Sequence, residues 1–348
     1  MSLSSTSPSA SAPGTLAVII VNWNVREELA RCLQSLDRAA NHWPWGEVHV
    51  WVVDNASQDD SVLMVRARFP WVSLLPLEEN LGFAAANNLA LRALGVLSAS
   101  SSSLYTRSAA MAQRLSLPPG STPPDTLLFL NPDTEVAPDA LFRMGETLYA
   151  NARTGVVGPR LMYPDGTHQH SGFRFPNLWQ VFLDFFPIHG RLVHSRLNGR
   201  YAKILYEGTA PFPVDFVLGA AMMTRREVIE TVGGFDEGYW LYCEEMDWAR
   251  RVRAAGWEIR IDPRARVIHY EGRSSRQFRG QAFVALWRSR FRYFRQYHSP
   301  WFNLIVRGLV LLGVWHLRRQ ARHLPPQERA ARWAAYSKVA RMAWTGKP

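Results

Sequence analysis

The chain has 348 residues, 47% hydrophobic and 20% charged, the balance of a globular protein with a substantial core. Its two cysteines, Cys32 and Cys243, lie far apart and exclude a disulfide framework or a zinc-type spacing, which points to reduced thiols in the cytosol. The net charge of +11 is unevenly held: residues 264–348 carry 18 Lys and Arg against 2 Asp and Glu, while residues 1–263 carry 22 against 27. That basic quarter is interleaved with Trp, Phe and Tyr, so it calls for an anionic partner, either nucleic acid or a membrane surface.

The first 14 residues are mostly Ser, Pro and Ala. They lack the basic start and apolar core of a signal peptide and read as a disordered tail. Leu16 to Val21 is an apolar, β-branched run closed by Asn22-Trp23-Asn24. Arg26 to Leu36 has helical spacing, with Leu29, Cys32, Leu33 and Leu36 on one face. Val48 to Val53 predicts a second strand, ended by Asp54-Asn55-Ala56-Ser57, and Ser61 to Phe69 a second helix. Val72 to Leu75 predicts a third strand, then Asn80-Leu81-Gly82-Phe83 leads into an Ala/Leu-rich helix over 84–97. Ser98 to Asp125 is rich in Ser, Pro and Thr and reads as a low-complexity insertion. Leu127 to Leu130 predicts a buried strand, ended by Asn131-Pro132-Asp133. Strands alternating with helices at this spacing imply a doubly wound, mostly parallel α/β sheet with helices on both faces. In such sheets ligands bind beyond the carboxyl ends of the strands, and here those ends carry Asn or Asp.

Further along, Tyr163-Pro164-Asp165-Gly166 is a hairpin signal, and a long aromatic loop region runs from Phe173 to Pro213. Phe216 to Met223 predicts an apolar strand containing Gly219, and Arg225 to Val232 a helix stopped by Gly233-Gly234. Glu244, Glu245 and Asp247 open a helix that ends near Gly256. Acidic residues are favoured in a first helical turn by the helix dipole, but three carboxylates there can also supply a general base tuned by its neighbours. His269 follows the apolar Val267-Ile268. No GxGxxG or GxxxxGK[ST] follows the first strand, which argues against a dinucleotide dehydrogenase or a P-loop enzyme.

Seven segments in order, VIIVNWN, VVDNASQDDS, NLGFAAANN, FLNPDTEV, VGPRL, GGFDEGYWLYCEEMDW and AGWEI, resemble family 2 of the inverting glycosyltransferases, and within it the rhamnosyltransferase-like branch of bacterial cell-wall and surface polysaccharide synthesis. The resemblance runs from about Leu16 to about Ser275 and implies a GT-A domain over 15–275. It implies that Val21, Asn22 and Trp23 border the nucleotide. Asp54 would accept from the base N3–H, and Asn80, Gly82 and Asn88 would line the nucleotide sugar. Asn131 and Asp133 fall on the DXD position, with Asp133 and His269 as ligands of Mg²⁺ or Mn²⁺. Glu245 falls on the catalytic base, usually an Asp, and Asp247 on the second acid of that motif. Two departures stand out: Asn131 replaces the first Asp of DXD, and Glu245 is one methylene longer than the usual base.

The resemblance therefore implies a sugar, rhamnose from dTDP-rhamnose, moved to a lipid-linked or polysaccharide acceptor. Galactofuranosyl, GlcNAc or glucosyl transfer from a UDP-sugar, or a non-catalytic nucleotide-sugar-binding module, are the alternatives. Beyond it, residues 276–348 read as a basic amphipathic helical region. Trp287, Phe291 and Phe294 are spaced i, i+4, i+7, and the apolar stretch Leu304 to Leu317 is shorter than the ~20 residues of a spanning helix. An anionic membrane surface, rather than nucleic acid, is the expected partner, which places the chain at the cytoplasmic face of the bacterial plasma membrane. The bland alternative is that these aromatics pack on the catalytic domain.

Overall fold

The computed structural model describes residues 13–98, 122–272 and 279–347; the N-terminal tail and almost all of the 98–125 insertion lie outside the described residues. The first half runs β1 (Leu16–Asn22), α1 (Arg26–Ala40), β2 (Val48–Asp54), α2 (Ser61–Arg68), β3 (Ser73–Pro76), α3 (Phe83–Ala93) and β4 (Thr126–Leu130). Each lies within about a helical turn of the bounds its apolar pattern predicts. Strand β1 pairs in parallel with β2 and β4, and β2 with β3. All of β1 is buried: Ala17, Ile19 and Val21 enter the apolar cluster on one face, Leu16, Val18 and Ile20 the cluster on the other. A strand covered on both faces has no solvent side, which is why its sequence is a continuous apolar run rather than an alternation. Helix α1 and helix α4 (Ala140–Tyr149) cover one face and α3 the other.

The remaining strands are β5 (Thr134–Val136), β6 (Thr154–Met162), β7 (His168–Gln169), β8 (Gly172–Phe173), β9 (Phe212–Pro213), β10 (Phe216–Val217), β11 (Ala221–Arg225) and β12 (Glu258–His269). The main sheet has the order β3-β2-β1-β4-β11-β6-β12-β5. The expectation of a mostly parallel sheet holds, and the antiparallel members lie in its second half. Strand β11 is antiparallel to both β4 and β6, and β12 is parallel to β6 but antiparallel to β5. The sheet is thus parallel in its N-terminal half and mixed beyond it. The hairpin signal is confirmed: Gly166 N–H donates to Tyr163 O at 2.9 Å, and β7 folds back on β6.

Two expectations need correcting. The apolar run Phe216 to Met223 is not one strand: it breaks between β10 and β11, because β10 pairs with β8 while Ala220 O accepts from Asn131 N–H at 2.9 Å. The 173–213 region is not all loop. It contains α5 (Leu178–Phe185), whose first turn is capped by Asn177 accepting from Gln180 N–H at 3.1 Å.

After α6 (Arg226–Val232) and α7 (Glu244–Ala254) come α8 (Arg279–Tyr297), α9 (Pro300–Gln320) and α10 (Pro326–Thr345). Trp287, Phe291 and Phe294 are buried in the same apolar cluster as β1 and α3, with Trp287 stacked 5.0 Å from Phe185. That stripe is core. Helix α9 is longer than its sequence suggested. With the turn that follows, Pro300–His323 is long and apolar enough to cross a membrane by length and composition. One face, Val306, Val310, Gly313 and Val314, is buried; Gly313 admits the Phe185 ring, which an added Cβ would meet at 2.1 Å. The other face leaves Trp301, Leu304, Leu312 and Trp315 exposed.

Candidate active site

The carboxyl ends of β1 and β4, the segment before α3, the end of β12 and the start of α7 enclose a cavity of ≈ 350 Å³. Of the residues singled out by sequence, Val21, Trp23, Asn80, Gly82, Asn131, Asp133, Glu245 and His269 line it. Asn22, Asp54, Asn88 and Asp247 do not.

Each of those four is bonded within the protein. Asp54 is 2% exposed; its Oδ2 accepts from Asn22 Nδ2 at 2.8 Å and its Oδ1 from Ser57 N–H at 2.9 Å. It braces the ends of β1 and β2 rather than facing the cavity, and Asn22 beside it is wholly buried. Asn88 bonds the chain at 235–237, donating to Phe235 O and Glu237 Oε1 and accepting from Phe235 N–H. Asp247, fully buried, accepts from Arg251 Nε at 3.0 Å, Gln296 Nε2 at 3.0 Å and Tyr297 Oη at 2.7 Å. All three of these donors come from within the protein, so both oxygens of Asp247 are engaged internally.

A second bonded group shapes the wall before α3. Asn55 lines the cavity; its Nδ2 donates to Asn80 Oδ1 at 2.9 Å and its Oδ1 accepts from Leu81 N–H at 2.8 Å. Asn80 Oδ1 also accepts from Gly82 N–H. Gly82 has φ +81°, and a Cβ there would lie 2.2 Å from Trp240 O. Only glycine lets the chain approach this closely, and Phe83 N–H then donates to Trp240 O at 2.9 Å.

The wall formed by the β4–β5 turn and the end of β12 is different. Strand register puts His269 opposite Thr134, so its ring reaches Asp133: Nε2 lies 3.4 Å from Asp133 Oδ1, both side chains nearly buried. His269 Nδ1 lies 3.2 Å from Gln169 Oε1, while Gln169 Nε2 donates to Glu271 Oε2 at 3.0 Å. Because Gln169 Nε2 donates to the Glu271 carboxylate, its Oε1 faces Nδ1 and accepts a hydrogen bond from Nδ1–H. With Nδ1 as the donor to Gln169, Nε2 is the ring nitrogen that faces the Asp133 carboxylate. A carboxylate oxygen and a ring nitrogen facing each other across 3.4 Å are a donor set that suits a shared cation, and a His held through its other nitrogen is the usual arrangement around a ligated metal. Among the described residues no group of three or more His, Cys, Asp or Glu is placed to hold an ion. Asp133 and His269 therefore fit a cation whose other ligands are substrate oxygens and water, the mode of Mg²⁺ with phosphates.

Glu244 and Glu245 line the same cavity. Tyr242 and Cys243 before them both adopt φ +69°, a left-handed turn that costs on the order of 1–3 kcal/mol for each non-Gly residue and persists only where the surroundings enforce it. Each glutamate has a buried Oε2 with no hydrogen-bond partner. Burial pushes the Glu245 carboxyl up to about 7, with backbone hydrogen bonds pulling the other way. Glu244 is pushed well above the carboxylate range by burial, then by the charge of Glu245.

Sequence reading missed Asn55, Gln169 and Glu271 as site residues. Asn55 could have been found as the residue after a strand-end Asp. Gln169 had no local signal, because only the β6–β7 hairpin carries it to His269.

Residues 17–95 match the model of "Glycosyl transferase family 2", and residues 187–288 that of "Glycosyl transferase family 21". The chain is 26% identical over 297 residues to the N-acetylglucosaminyl-diphospho-decaprenol L-rhamnosyltransferase of Mycobacterium tuberculosis, spanning 84% of this chain and 88% of that one. It is 31% identical over 176 residues to the rhamnosyltransferase WbbL of Escherichia coli K12, which covers 49% of this chain and 61% of WbbL. Among solved structures, a mannosyltransferase from Pyrobaculum calidifontis with GDP-Man and Mn²⁺ superposes with a TM-score of 0.52 at 16% identity, over 98% of this chain and 90% of that one. At that identity the match speaks for the fold alone.

Proposed function

We propose that this chain, whose residues 17–95 match the family 2 glycosyltransferase model and which is similar to rhamnosyltransferases, moves rhamnose from dTDP-rhamnose to a hydroxyl of a lipid-linked sugar, inverting the anomeric carbon. The observation that carries the mechanism is the sharing of one cavity by the Asp133–His269 pair and the partly desolvated Glu245. Glu245 takes the proton of the acceptor hydroxyl as that oxygen attacks the anomeric carbon. Its raised pKa, near working pH, is what a general base needs. Attack from the face opposite the leaving nucleoside diphosphate gives inversion in one displacement. Asp133 and His269 would hold Mg²⁺ or Mn²⁺, which when bound supplies Lewis-acid stabilisation of the charge on the departing diphosphate. Val21, Trp23 and the Asn55–Asn80–Gly82 group form the wall for the nucleoside.

The acceptor is a polyprenol-linked sugar, in line with the decaprenol substrate named for the mycobacterial relative. The C-terminal helices serve this by lying on an anionic leaflet at the cytoplasmic face. Helix α9 is buried on one side and exposes Trp301, Leu304, Leu312 and Trp315 on the other, the build of an interfacial rather than a spanning helix. The +16 charge of residues 264–348 adds electrostatic attraction.

A donor screen tests the proposal, following nucleotide release with a GlcNAc-diphospho-polyprenol acceptor in anionic vesicles. Release of dTDP from dTDP-rhamnose dependent on acceptor is expected. Turnover only with UDP-sugars would reassign the donor, and release without acceptor would remove the transferase.

A further inference from the structure

Helix α8 contributes no residue to the cavity, yet it grips both sides of the segment that presents Glu245. On the N-terminal side, Arg292 pairs with Asp236 at 2.6 Å and Ser289 Oγ donates to Leu241 O at 2.8 Å. Gln296 Oε1 accepts from Tyr239 Oη at 3.3 Å. On the C-terminal side, Tyr297 Oη and Gln296 Nε2 both donate to Asp247 Oδ1, at 2.7 and 3.0 Å. Asp247 Oδ2 turns the other way and accepts from Arg251 Nε, whose guanidinium also donates to Val232 O and Gly234 O. Between these anchors lie the two left-handed residues, Tyr242 and Cys243, and then Glu244 and Glu245.

A strained turn of two non-glycine residues relaxes unless something on both sides fixes it. The helix carrying Glu245 has no side-chain cap of its own at Cys243. Its first turn is fixed instead by Asp247, one helical turn below the cap, and Asp247 is fixed by Tyr297 and Gln296. We propose that α8 is a positioning strap, with Tyr297 and Gln296 acting through Asp247 to hold Glu245 at the angle and depth the reaction needs. The C-terminal region then does more than bring the enzyme to its acceptor. The inference rests on Glu245 being the base.

The test uses the full-length protein with dTDP-rhamnose and a detergent-dispersed GlcNAc-diphospho-polyprenol, at a temperature well below unfolding. Tyr297→Phe keeps the ring and removes one donor to Asp247. It should lower kcat roughly 10-fold, because small misplacements of a catalytic group are costly, while leaving the dTDP dissociation constant unchanged. Ser337→Ala breaks the Arg318–Ser337 contact elsewhere in the C-terminal helices and should leave both values as they are. In a Glu245→Gln background, Tyr297→Phe should cost nothing further in single-turnover rate, since a residue acting through Glu245 has nothing left to position. Gln296→Leu repeats the measurement should Tyr297→Phe not fold. Wild-type kcat in both folded variants overturns the strap, as does an equal loss in the Glu245→Gln background. A fully active Glu245→Gln would instead remove the base assignment, so the two failures are distinguishable.

Discussion

The wall of the cavity built from the ends of β1, β2 and the segment before α3 bonds its polar atoms to one another. Asn22, Asp54 and Ser57 form one group and Asn55, Asn80 and the backbone of 81–82 another, with Asn22 Oδ1 left over. The wall built from the β4–β5 turn, the end of β12 and the start of α7 leaves its polar atoms facing space or each other. Asp133 Oδ1 and His269 Nε2 face each other at 3.4 Å, and Glu244 and Glu245 each carry a buried unbonded oxygen. A buried polar atom without a partner costs stability, and the second wall carries two of them on ionisable groups that line the cavity. On the proposed mechanism, the first wall would be scaffold that shapes a binding surface and the second would hold the chemistry.

The sharpest way to break this contrast is at Asp133. Asp133→Ala should reduce transfer by more than ~10³-fold, because it removes the charge that meets the diphosphate. EDTA should suppress the wild type to a similar degree, with Mn²⁺ or Mg²⁺ restoring it. Full activity in EDTA would show that the Asp133–His269 pair serves no cation. Next in size is Glu245→Gln, expected to lose roughly 10²–10⁴-fold in turnover with nucleotide binding retained, the usual worth of a general base. Asp247→Asn cannot stand in for it, since Asp247 faces α8 and not the cavity.

Much of this was readable in the chain before any coordinates, and where reading failed the reasons are physical. Strands β1 to β4 and helices α1 to α3 announce themselves because each apolar run is bounded by a strand-end Asn or Asp or by helical spacing. The cavity-lining residues at those ends, such as Trp23, Gly82 and Asp133, follow from the rule that α/β sites sit at the carboxyl edge. A motif position, however, says nothing about which way a side chain turns. Asp54, Asn88 and Asp247 match family positions yet spend their oxygens on internal donors. Pairing of β12 with β5, which delivers His269, and of β7 with β6, which delivers Gln169, is long-range and leaves no local mark. The aromatic stripe of α8 looks the same in sequence whether it meets lipid or core, and only packing against Phe185 decides it.

The scaffold side is sharpened by Asn88→Ala. It strips the partners from Phe235 N–H and Phe235 O, so stability should fall by about 1–3 kcal/mol. Turnover per folded molecule should change less than 10-fold by the same reasoning, because Asn88 touches no reacting group. Denaturant unfolding beside active-site titration checks both. An Asn88→Ala protein of wild-type stability would mean the bonded atoms are not what holds the 235–237 segment.

The smallest effect separates the walls by pH. A carboxyl whose folded pKa is raised binds a proton that the unfolded chain has already lost, so its contribution to stability is present at low pH and disappears as pH rises through the folded value. For Glu245 that window runs from 4.5 to about 7, and Glu244 shifts in the same direction for the same reason, burial. The wild type should therefore be more stable at pH 6 than at pH 8, with a slope of at most ~1.4 kcal/mol per pH unit for each proton taken up. Glu245→Gln should flatten that slope, because an amide is neutral throughout. Activity runs the opposite way: only the ionised carboxylate accepts a proton, so kcat/KM should rise through pH 7 and then level off. Thermal melts and initial rates across pH 5.5 to 8.5 read both curves from one preparation. A stability slope unchanged in Glu245→Gln, or a rate flat across pH 7, would mean that Glu245 is not the buried, ionising group of the second wall.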